Sequence, residues 1–244
     1  MISKKIIAHR GVPALSHENT ISSFETAMKF GADMIEFDIR RTADGVLVAF
    51  HDPFIFHLFS NVLLKDITFS DLQRIASNQN FTVPSLKDIF DKFAGKIGFD
   101  IEFKEEGCAE ETLSMISDYK CEDKCIITSF NESIIKHIQT IWPHLQTGLL
   151  IGDNEIIQKC DMSTYSMLCP SKEFFLSNRD FFTDWKHSDR YIAVWTVDCI
   201  SLLKQLLKDS LIDGIITNRC DRALKLQNQL LQNLGVSTSM RLRS

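Results

Sequence analysis

The sequence predicts an α/β fold, a single (β/α)8 TIM barrel with its active site at the carboxyl-terminal ends of the strands. Apolar runs typical of strands alternate with helical patterns along almost the whole chain, which indicates a parallel sheet, open or closed into a barrel. Nine strands can be counted, and one of them is best explained as the returning arm of a hairpin, which leaves eight. A chain of 244 residues is long enough for such a barrel.

The elements follow one another in regular order. Residues 5–8 form the first apolar run, and residues 19–30 follow with an apolar stripe at helical spacing and Gly31 as the C-cap. The other strand candidates are 34–39, 46–50, 97–103, 125–129, 147–151, 165–169, 191–197 and 214–217. Helical patterns lie between them at 85–94, 110–119, 131–141, 172–185 and 201–209, and a last one at 221–234 follows the final strand. We expect residues 1–234 to form one domain and the polar residues 235–244 to be a frayed tail.

The connection between the second and third strand candidates is too short for a parallel crossover. Residues 40–45 are six in number, whereas a crossover needs about a dozen. Asp44 and Gly45 are a common pair in tight hairpin turns. These two strands are therefore predicted to pair antiparallel, which brings His51 back close to Asp38.

Composition and charge exclude several classes of protein. With 27 Lys and Arg against 32 Asp and Glu, the net charge is -5, which does not favour a nucleic-acid binder. The seven cysteines are scattered, and Cys121 and Cys125 lack a second close pair for zinc, so we expect thiols in a reducing compartment. We find no signal peptide and no transmembrane segment, and we expect a cytoplasmic protein.

Polar residues are concentrated where the predicted strands end. In parallel α/β folds the reacting groups cluster at these ends. Glu36 and Asp38 are two residues apart and point to the same side of a strand, and Glu102 and Lys104 repeat that spacing. His9 and Arg10 end the first strand, and His51 ends the hairpin return.

Three carboxylates on one rim repel each other unless a cation lies between them. Oxygen ligands of this kind suit one hard divalent cation, and Mg²⁺, Ca²⁺ and Mn²⁺ all remain open. Two histidines beside such a site are suited to proton transfer near neutral pH. Arg10 and Lys104 could bind an oxyanion such as phosphate, or they could simply neutralise the carboxylates.

The motifs taken together resemble the glycerophosphodiester phosphodiesterase family. They read AHRG, ENT at a helix start, IEFDIR, DGVLVAFHD, IEFK, WTV and DGIITN, in order over residues 5–220. The resemblance implies a (β/α)8 barrel, a divalent metal, and cleavage of small-molecule glycerophosphodiesters to sn-glycerol 3-phosphate and an alcohol. It says nothing of the oligomeric state.

The resemblance also implies roles for individual residues. Glu36, Asp38 and Glu102 match the metal ligands, and His9 and His51 match the acid–base pair. Similarity to bacterial phosphatidylinositol phospholipases suggests His9 as the base and His51 as the acid. Arg10 and Lys104 match phosphate-binding positions, and Trp195 matches the aromatic lining of the pocket. Glu18 matches the glutamate of ENT, with either a supporting or a helix-capping role. Whether water attacks directly or a cyclic phosphate forms first stays open.

The sequence departs from the family pattern in three places. Asp198 and Asn218 stand where the family usually has an asparagine and an aspartate, and we expect this exchange to preserve the hydrogen bonds. After Asp52 the usual polar segment is replaced by the apolar residues 54–64. We expect this segment to be a buried loop; a pocket wall for a hydrophobic alcohol and a lipid-contacting surface are the alternatives.

Other functions remain as alternatives. A lysophospholipase D-like phosphodiesterase of the same barrel group would share these residues. A catalytically silent barrel that only binds a phospho-ligand would typically have lost a histidine or an acid, and this chain retains all five. A sugar-phosphate isomerase barrel does not explain two histidines beside three carboxylates.

Overall fold

The structure, a computed structural model, describes residues 3–153, 160–187 and 189–235. Within these residues there are eleven strands. They are β1 (Lys5–His9), β2 (Met34–Arg41), β3 (Leu47–Ala49), β4 (Phe54–His57), β5 (Ser60–Leu63), β6 (Gly98–Phe103), β7 (Cys125–Ser129), β8 (Gln146–Ile151), β9 (Met167–Pro170), β10 (Tyr191–Val194) and β11 (Gly214–Thr217).

Eight parallel strands close into a barrel, as predicted. Their order around the barrel is β1, β2, β6, β7, β8, β9, β10 and β11, and β1 pairs in parallel with both β2 and β11. β3 is the antiparallel arm that the short connection predicted, since Ile39 lies opposite Ala49. Gly45, with φ of +86°, occupies the turn between β2 and β3 in a conformation that favours glycine.

Helices cover the outside of the barrel. In the described residues they are α1 (Ile21–Phe30), α2 (Phe69–Asn78), α3 (Leu86–Phe93), α4 (Ala109–Asp118), α5 (Glu132–Ile141), α6 (Lys172–Ser177), α7 (Arg179–Trp185), α8 (Ile200–Leu206) and α9 (Cys220–Asn233). None of these helices has both the length and the apolar character needed to span a bilayer.

The core has two parts because alternate side chains of each strand point to opposite faces. Inside the barrel is a small apolar cluster: Ile7, Met34, Ile126, Leu150, Met167, Cys169, Ala193 and Ile216. The larger cluster lies between strands and helices and includes Phe37, Phe99 and Phe103, all buried. Phe37 and Phe103 are the neighbours of the acidic residues of β2 and β6. Their burial turns those acids toward the interior of the barrel.

Several predicted boundaries were wrong by a few residues, and one helix was missed. The helix predicted at 19–30 begins at Ile21, since the Thr20 side chain accepts a hydrogen bond from the Ser23 amide as the N-cap, and Gly31 is the C-cap as predicted. The predicted helix 172–185 is two helices, because Asn178 has a non-helical backbone between them. α2 was not predicted.

The prediction that residues 54–64 form a buried loop was wrong. The segment is a two-stranded antiparallel hairpin of β4 and β5, separate from the barrel sheet. Ile55 and Leu64 are buried in a small cluster with side chains of α2, but Leu58 and Phe59 at the tip are 77% and 96% exposed. Only one side of the hairpin therefore has the burial that its composition suggested.

Two further sequence predictions concern the thiols and the tail. Five cysteines are buried, as expected of core thiols: Cys108, Cys121, Cys125, Cys169 and Cys220. The sulfurs of Cys121 and Cys125 are 3.7 Å apart, which is too long for a disulfide bond. The tail boundary at 235 stays a prediction, because residues 236–244 lie outside the described residues.

Candidate active site

The acidic side chains meet because β2 and β6 are adjacent and in register. Glu36 lies opposite Asp100, and Asp38 lies opposite Glu102. Residues two apart share a face, so all four carboxylates point into the barrel. The side-chain oxygens of Glu36, Asp38 and Glu102 lie within 4.8 Å of one another, and all three residues are buried. The sequence-predicted ligand set is thus brought together in space.

Burial opposes ionisation of most of these carboxyls. It raises the pKa of Glu36 well above its usual value, with Asp38 and Glu102 adding repulsion. Burial, and then the Asp38 charge, raise the pKa of Glu102 to about 7. Burial also raises the pKa of Asp100 to about 7, against the hydrogen bond donated by the Thr128 hydroxyl. The site therefore favours neutralisation by protons or by a cation.

Asp38 is the exception in this group. Burial is again the largest influence, but Lys104 and Arg10 outweigh it and lower the pKa of Asp38. Lys104 Nζ is 2.9 Å from one Asp38 oxygen, and Arg10 Nε is 3.2 Å from the other. The Asn19 side chain also donates a hydrogen bond of 2.7 Å to Asp38. Asp38 is therefore the carboxylate held in its ionised form.

The donor set fits a hard divalent cation. Oxygen ligands on rigid neighbouring strands are what Mg²⁺, Mn²⁺ and Ca²⁺ prefer. Glu36 Oε1 is buried without a hydrogen-bond partner among the described residues, whereas Glu36 Oε2 accepts a bond of 2.8 Å from the Arg10 amide. A buried carboxylate oxygen without a partner is costly. A cation shared by Glu36, Asp38 and Glu102 would satisfy it.

His9 is held by a chain of two polar side chains. Its Nδ1 is 2.8 Å from Asn218 Oδ1, and Asn218 Nδ2 donates a 2.7 Å hydrogen bond to Asp198. Since a carboxylate only accepts, Asp198 orients the amide so that its oxygen faces His9. His9 Nδ1 then carries the proton and Nε2 presents its lone pair. Asp198, Asn218 and His9 thus form one hydrogen-bond chain in this protein, and the expectation that it matches the arrangement in the family stays a prediction.

The charge state of His9 follows from its surroundings. Burial is the largest influence and lowers its pKa, and the neighbouring Arg10 lowers it further. The Asn218 hydrogen bond acts in the opposite direction but does not outweigh them. Nε2 lies 4.0 Å from Glu36 Oε2, at the edge of the acidic cluster. A neutral imidazole beside this cluster is in the state that a general base requires.

His51 reaches the site through the hairpin return. The Phe50 amide donates to the Asp38 carbonyl, and Arg40 Nε donates to the His51 carbonyl, which fixes the chain after β3 beside β2. The Nδ1 atom of His51 is 2.7 Å from Asp52 Oδ1. His9 and His51 line the same cavity of about 160 Å³, together with Glu36 and Glu102. The two histidines predicted as a pair therefore face one space.

The Arg10 loop is built by close packing on α1. Arg10 itself has φ of +52°, an uncommon conformation for a residue with a side chain. Next to it, a Cβ on Gly11 would lie 2.2 Å from Ser23 Oγ, so only glycine fits. The Ser23 hydroxyl donates to the Arg10 carbonyl and accepts from the Val12 amide. The loop therefore depends on α1 for its shape.

Lys104 and Trp195 both lie beside the ring of Phe130. Lys104 Nζ bonds Glu102 as well as Asp38, and it lies 5.9 Å from the centre of the Phe130 ring. Trp195 packs edge-to-face on Phe130 and donates its indole N–H to the Cys169 carbonyl. Both aromatic rings line the cavity. This part of the cavity therefore combines the positive charge of Lys104 with the aromatic rings of Phe130 and Trp195.

Glu18 lies at the margin of this arrangement. It makes a 2.9 Å ion pair with Arg10, and its side chain is 38% exposed. The cap of α1 is Thr20, so the helix-capping role considered for Glu18 was wrong. Glu18 instead lines a second cleft, of about 450 Å³, which also has His51 in its wall. The ion pair of Glu18 with Arg10 helps to hold the Arg10 side chain in place.

Sequence reasoning missed four residues that the structure places at the site. They are Asn19, Asp100, Phe130 and, as the partner of His9, Asn218. Asp100 could have been found, since it repeats with Glu102 the two-residue spacing of Glu36 and Asp38. Asn19 was interpreted only as part of a helix start. Phe130 and the contact of Asn218 with His9 left no local signal in the chain.

The fold and the site define the protein as a (β/α)8 barrel whose cavity is lined by carboxylates, two histidines and two cationic side chains. Comparisons with known proteins identify its family. The sequence model of the Glycerophosphoryl diester phosphodiesterase family matches residues 9–222. The chain therefore belongs to that family and is an enzyme that acts on glycerophosphodiesters. This assignment removes the catalytically silent barrel from the alternatives.

Individual relatives agree with this placement over nearly their whole length. A glycerophosphodiester phosphodiesterase of Bacillus altitudinis is 28% identical, covering 93% of this chain and 99% of the relative. One from Caldanaerobacter subterraneus is 29% identical over 91% and 96% of the two chains. The crystal structure of the Thermotoga maritima glycerophosphodiester phosphodiesterase superposes with a TM-score of 0.79 at 24% identity, over 93% and 99% of the chains.

Proposed function

We propose that the protein hydrolyses glycerophosphodiesters to sn-glycerol 3-phosphate and an alcohol, with a divalent cation and two histidines as acid and base. The observation that carries the proposal is one cavity lined by both histidines and by Glu36 and Glu102, whose carboxylate oxygens lie within 4.8 Å of that of buried Asp38. Each group alone has a structural explanation, but their convergence does not. A related phosphodiesterase from Oleispira antarctica has been solved in complex with the product sn-glycerol-3-phosphate, which supports the choice of product.

Glu36, Asp38 and Glu102 would hold the cation. When bound, the cation supplies positive charge to the phosphate and to the charge that develops on it during the reaction. We assign no single metal, because Mg²⁺, Ca²⁺ and Mn²⁺ all accept oxygen ligands of this kind.

Arg10 and Lys104, which contact the two oxygens of Asp38, would bind the phosphate together. Both are fixed by ion pairs with Asp38, so their positions are set before substrate enters. Groups that are already oriented need no reorganisation when charge develops on the phosphate oxygens. Trp195, held by its bond to the Cys169 carbonyl, would limit the space beside them.

His9 would act as the general base. Its Nδ1 proton is directed at Asn218, so Nε2 is free to take a proton from the attacking oxygen. His51 would then donate a proton to the departing alkoxide from the side of the second cleft. Either water or the glycerol hydroxyl can be the nucleophile in this arrangement, since both would present an O–H to Nε2.

A lysophospholipase D-like activity is the second candidate. The second cleft adjoins His51 and has aromatic walls from Phe50, Phe54, Phe56 and Phe81. Such a cleft could take an alcohol with an apolar chain. A lysophospholipid and its deacylated counterpart, assayed side by side with separation of the products, distinguish the two functions.

The direct test measures release of sn-glycerol 3-phosphate from a panel of glycerophosphodiesters, with and without chelator. We expect turnover that chelation abolishes and a divalent cation restores. Full activity after exhaustive chelation and dialysis would refute the cation requirement. Release of a different phosphate product from every member of the panel would refute the proposed cleavage.

A further inference from the structure

The hairpin of β4 and β5 presents an unusual concentration of exposed apolar side chains. Four of the eleven large apolar residues exposed in the described part of the chain lie within its ten residues: Phe56, Leu58, Phe59 and Leu63. Phe59 is 96% exposed and Leu58 is 77% exposed. Scattered single exposures are common on protein surfaces, but a cluster at one tip marks a contact surface.

The turn at the tip does not favour the residues that occupy it. His57 pairs with Ser60, so Leu58 and Phe59 form a two-residue loop, with φ of +46° and +67°. Such loops strongly prefer Asn-Gly, because large side chains are strained at positive φ. Leu58 and Phe59 are neither favoured by the backbone nor buried in the core. Their presence therefore needs a reason outside the folding of the chain.

The hairpin is firmly attached to the barrel despite its exposed tip. Ile55 and Leu64 are buried with Leu72 and Ile75 of α2. The Gln79 side chain donates a 2.7 Å hydrogen bond to the Phe56 carbonyl. The tip is therefore presented on a fixed support.

Two chain segments that meet at the hairpin carry no formal charge, although Glu18 and Asp52 lie in the wall of the adjoining cleft. Residues 53–64 and 75–86 contain no Asp, Glu, Lys or Arg, although 24% of the chain is charged. The Gln79–Phe56 hydrogen bond joins the two segments, and both line the second cleft. A surface that enters an apolar or interfacial environment avoids the cost of desolvating charge. The absence of charge matches an electrically neutral partner rather than an anionic one.

The position of the hairpin connects it to catalysis. It follows His51 and Asp52 directly, and Phe54, Ile55 and Phe56 line the cleft that also contains His51. A partner seated on the tip would therefore lie on the hairpin that forms one wall of the cleft beside His51.

We propose that the Leu58–Phe59 tip inserts into the surface of a zwitterionic lipid layer and places the active-site mouth against it. Leu58 and Phe59 enter the region between headgroups and acyl chains, while the uncharged polar residues Asn61, Gln79 and Asn80 stay at headgroup level. The binding is driven by apolar burial, so it needs no anionic lipid and changes little with salt. It does not depend on the proposed function, because it requires no turnover.

The test is sedimentation of the full chain with phosphatidylcholine vesicles. The main variant is Leu58→Asn/Phe59→Gly, which installs the pair that this turn prefers and should fold at least as well as the wild type. We expect the partition coefficient of the wild type to fall at least about tenfold in this variant, since two large apolar side chains are removed. Hydrolysis of a water-soluble glycerophosphodiester should stay within about twofold, because the tip lies outside the catalytic groups.

A matched control is Ile141→Ser. Ile141 is 46% exposed at the end of α5, and α5 leads back to the amino end of β8, on the far side of the barrel from the site. Its vesicle binding should equal that of the wild type. Phe59→Trp supplies a second measurement, with a blue shift of its emission expected on addition of vesicles.

Four results would overturn the proposal. The wild type does not sediment with vesicles, the Asn-Gly variant sediments equally well, or Ile141→Ser loses binding to the same degree. The fourth is a lipid-free dimer of the wild type that becomes a monomer in the Asn-Gly variant, which would assign the surface to a second copy of the chain.

Discussion

At the scale of single residues, the state of His9 depends on a neutral partner. Asn218 Oδ1 accepts a hydrogen bond from His9 Nδ1, and the negative charge of Asp198 lies one hydrogen bond further away. A carboxylate in direct contact would stabilise the imidazolium and raise the pKa of His9. The neutral amide therefore orients His9 without placing a negative charge in direct contact with it.

This arrangement predicts a shift in the pH–rate profile. Asp198→Asn/Asn218→Asp restores a carboxylate beside His9 and leaves an amide behind it. The His9 pKa should rise by about one unit or more, as for other close charge pairs. A base with a raised pKa stays protonated to higher pH. The acidic limb of the plot of kcat/KM against pH should therefore shift to higher pH.

Asn218→Ala is the control for orientation alone. It removes the acceptor for Nδ1 without adding charge, so it should lower kcat without moving the acidic limb upward. If the double exchange leaves the limb unchanged, His9 is not the group that titrates there.

The two histidines also give a direct prediction. His9→Ala and His51→Ala should each lower kcat by about 10²- to 10⁴-fold, the usual contribution of an acid or base. Steady-state kinetics beside a urea denaturation curve separates this loss from unfolding. His137→Ala is the control, since His137 is exposed and pairs with Glu110 at 3.3 Å rather than with a residue of the site.

Leaving-group chemistry separates the two roles. Choline departs poorly without a proton, whereas p-nitrophenolate departs readily. His51→Ala should therefore be impaired on glycerophosphocholine and largely recover on a nitrophenyl phosphodiester, while His9→Ala should be impaired on both. The reverse pattern would exchange the assignments of acid and base.

At the scale of elements, the loop between β1 and α1 shows how packing shapes the site. Gly11 lies in this loop and Gly31 is the C-cap of α1, and both have a φ of +84°. Gly11 faces Ser23 at a distance that excludes a Cβ, whereas nothing lies within 4 Å of the Cβ position on Gly31. A side chain at Gly31 would meet only the unfavourable backbone conformation, whereas one at Gly11 would also clash with Ser23.

We predict unequal costs for the two alanine substitutions. Gly31→Ala should lower the free energy of unfolding by about 1 to 2 kcal/mol, from positive φ alone. Gly11→Ala should cost a further 1 to 3 kcal/mol or so, from overpacking. Urea denaturation measures both, and kcat should fall only for Gly11→Ala, since that loop carries Arg10. Equal losses of stability would show that the contact with Ser23 yields easily.

At the scale of the whole molecule, the buried carboxyls link stability to pH. Asp100 and Glu102 have pKa values of about 7 in the folded protein, above the value of about 4 expected when unfolded. A raised carboxyl pKa stabilises the fold at low pH, where both states are protonated. That stability is lost as pH rises from about 4 to about 7.

The cation-free protein should therefore have a Tm that falls between these pH values. A divalent cation should raise the Tm more at the upper end, because its ligands are then more readily ionised. At about 100 times its Kd, the cation should add about 2.7 kcal/mol. Differential scanning calorimetry after chelation, with and without added cation, measures this difference.

Glu36→Gln tests whether the cation acts at the proposed site. The substitution keeps the size of the side chain but removes its charge, so the rise in Tm with cation should disappear or need far more cation. A rise of the same size in this variant would place the cation elsewhere.

The chain alone allowed much of the architecture to be predicted. Strand-like and helical patterns alternate locally, and the six residues 40–45 allow only a hairpin, so the barrel and the antiparallel β3 could be inferred. The positions of Glu36, Asp38 and Glu102 follow from the same local rule, since alternate residues of a strand share a face. Such rules act within a few residues and are visible in the sequence.

Contacts between residues far apart in the sequence could not be predicted from the chain and are visible only in the folded structure. Asn218 reaches His9 across 209 positions of sequence, and only closure of β1 on β11 brings them together. The sequence around Asn19 is typical of a helix start, but in the folded protein the Asn19 side chain donates a hydrogen bond to Asp38 of β2. Apolar residues 54–64 indicate burial by composition, yet β4 and β5 expose Phe59, because core packing accepts only one face of the hairpin.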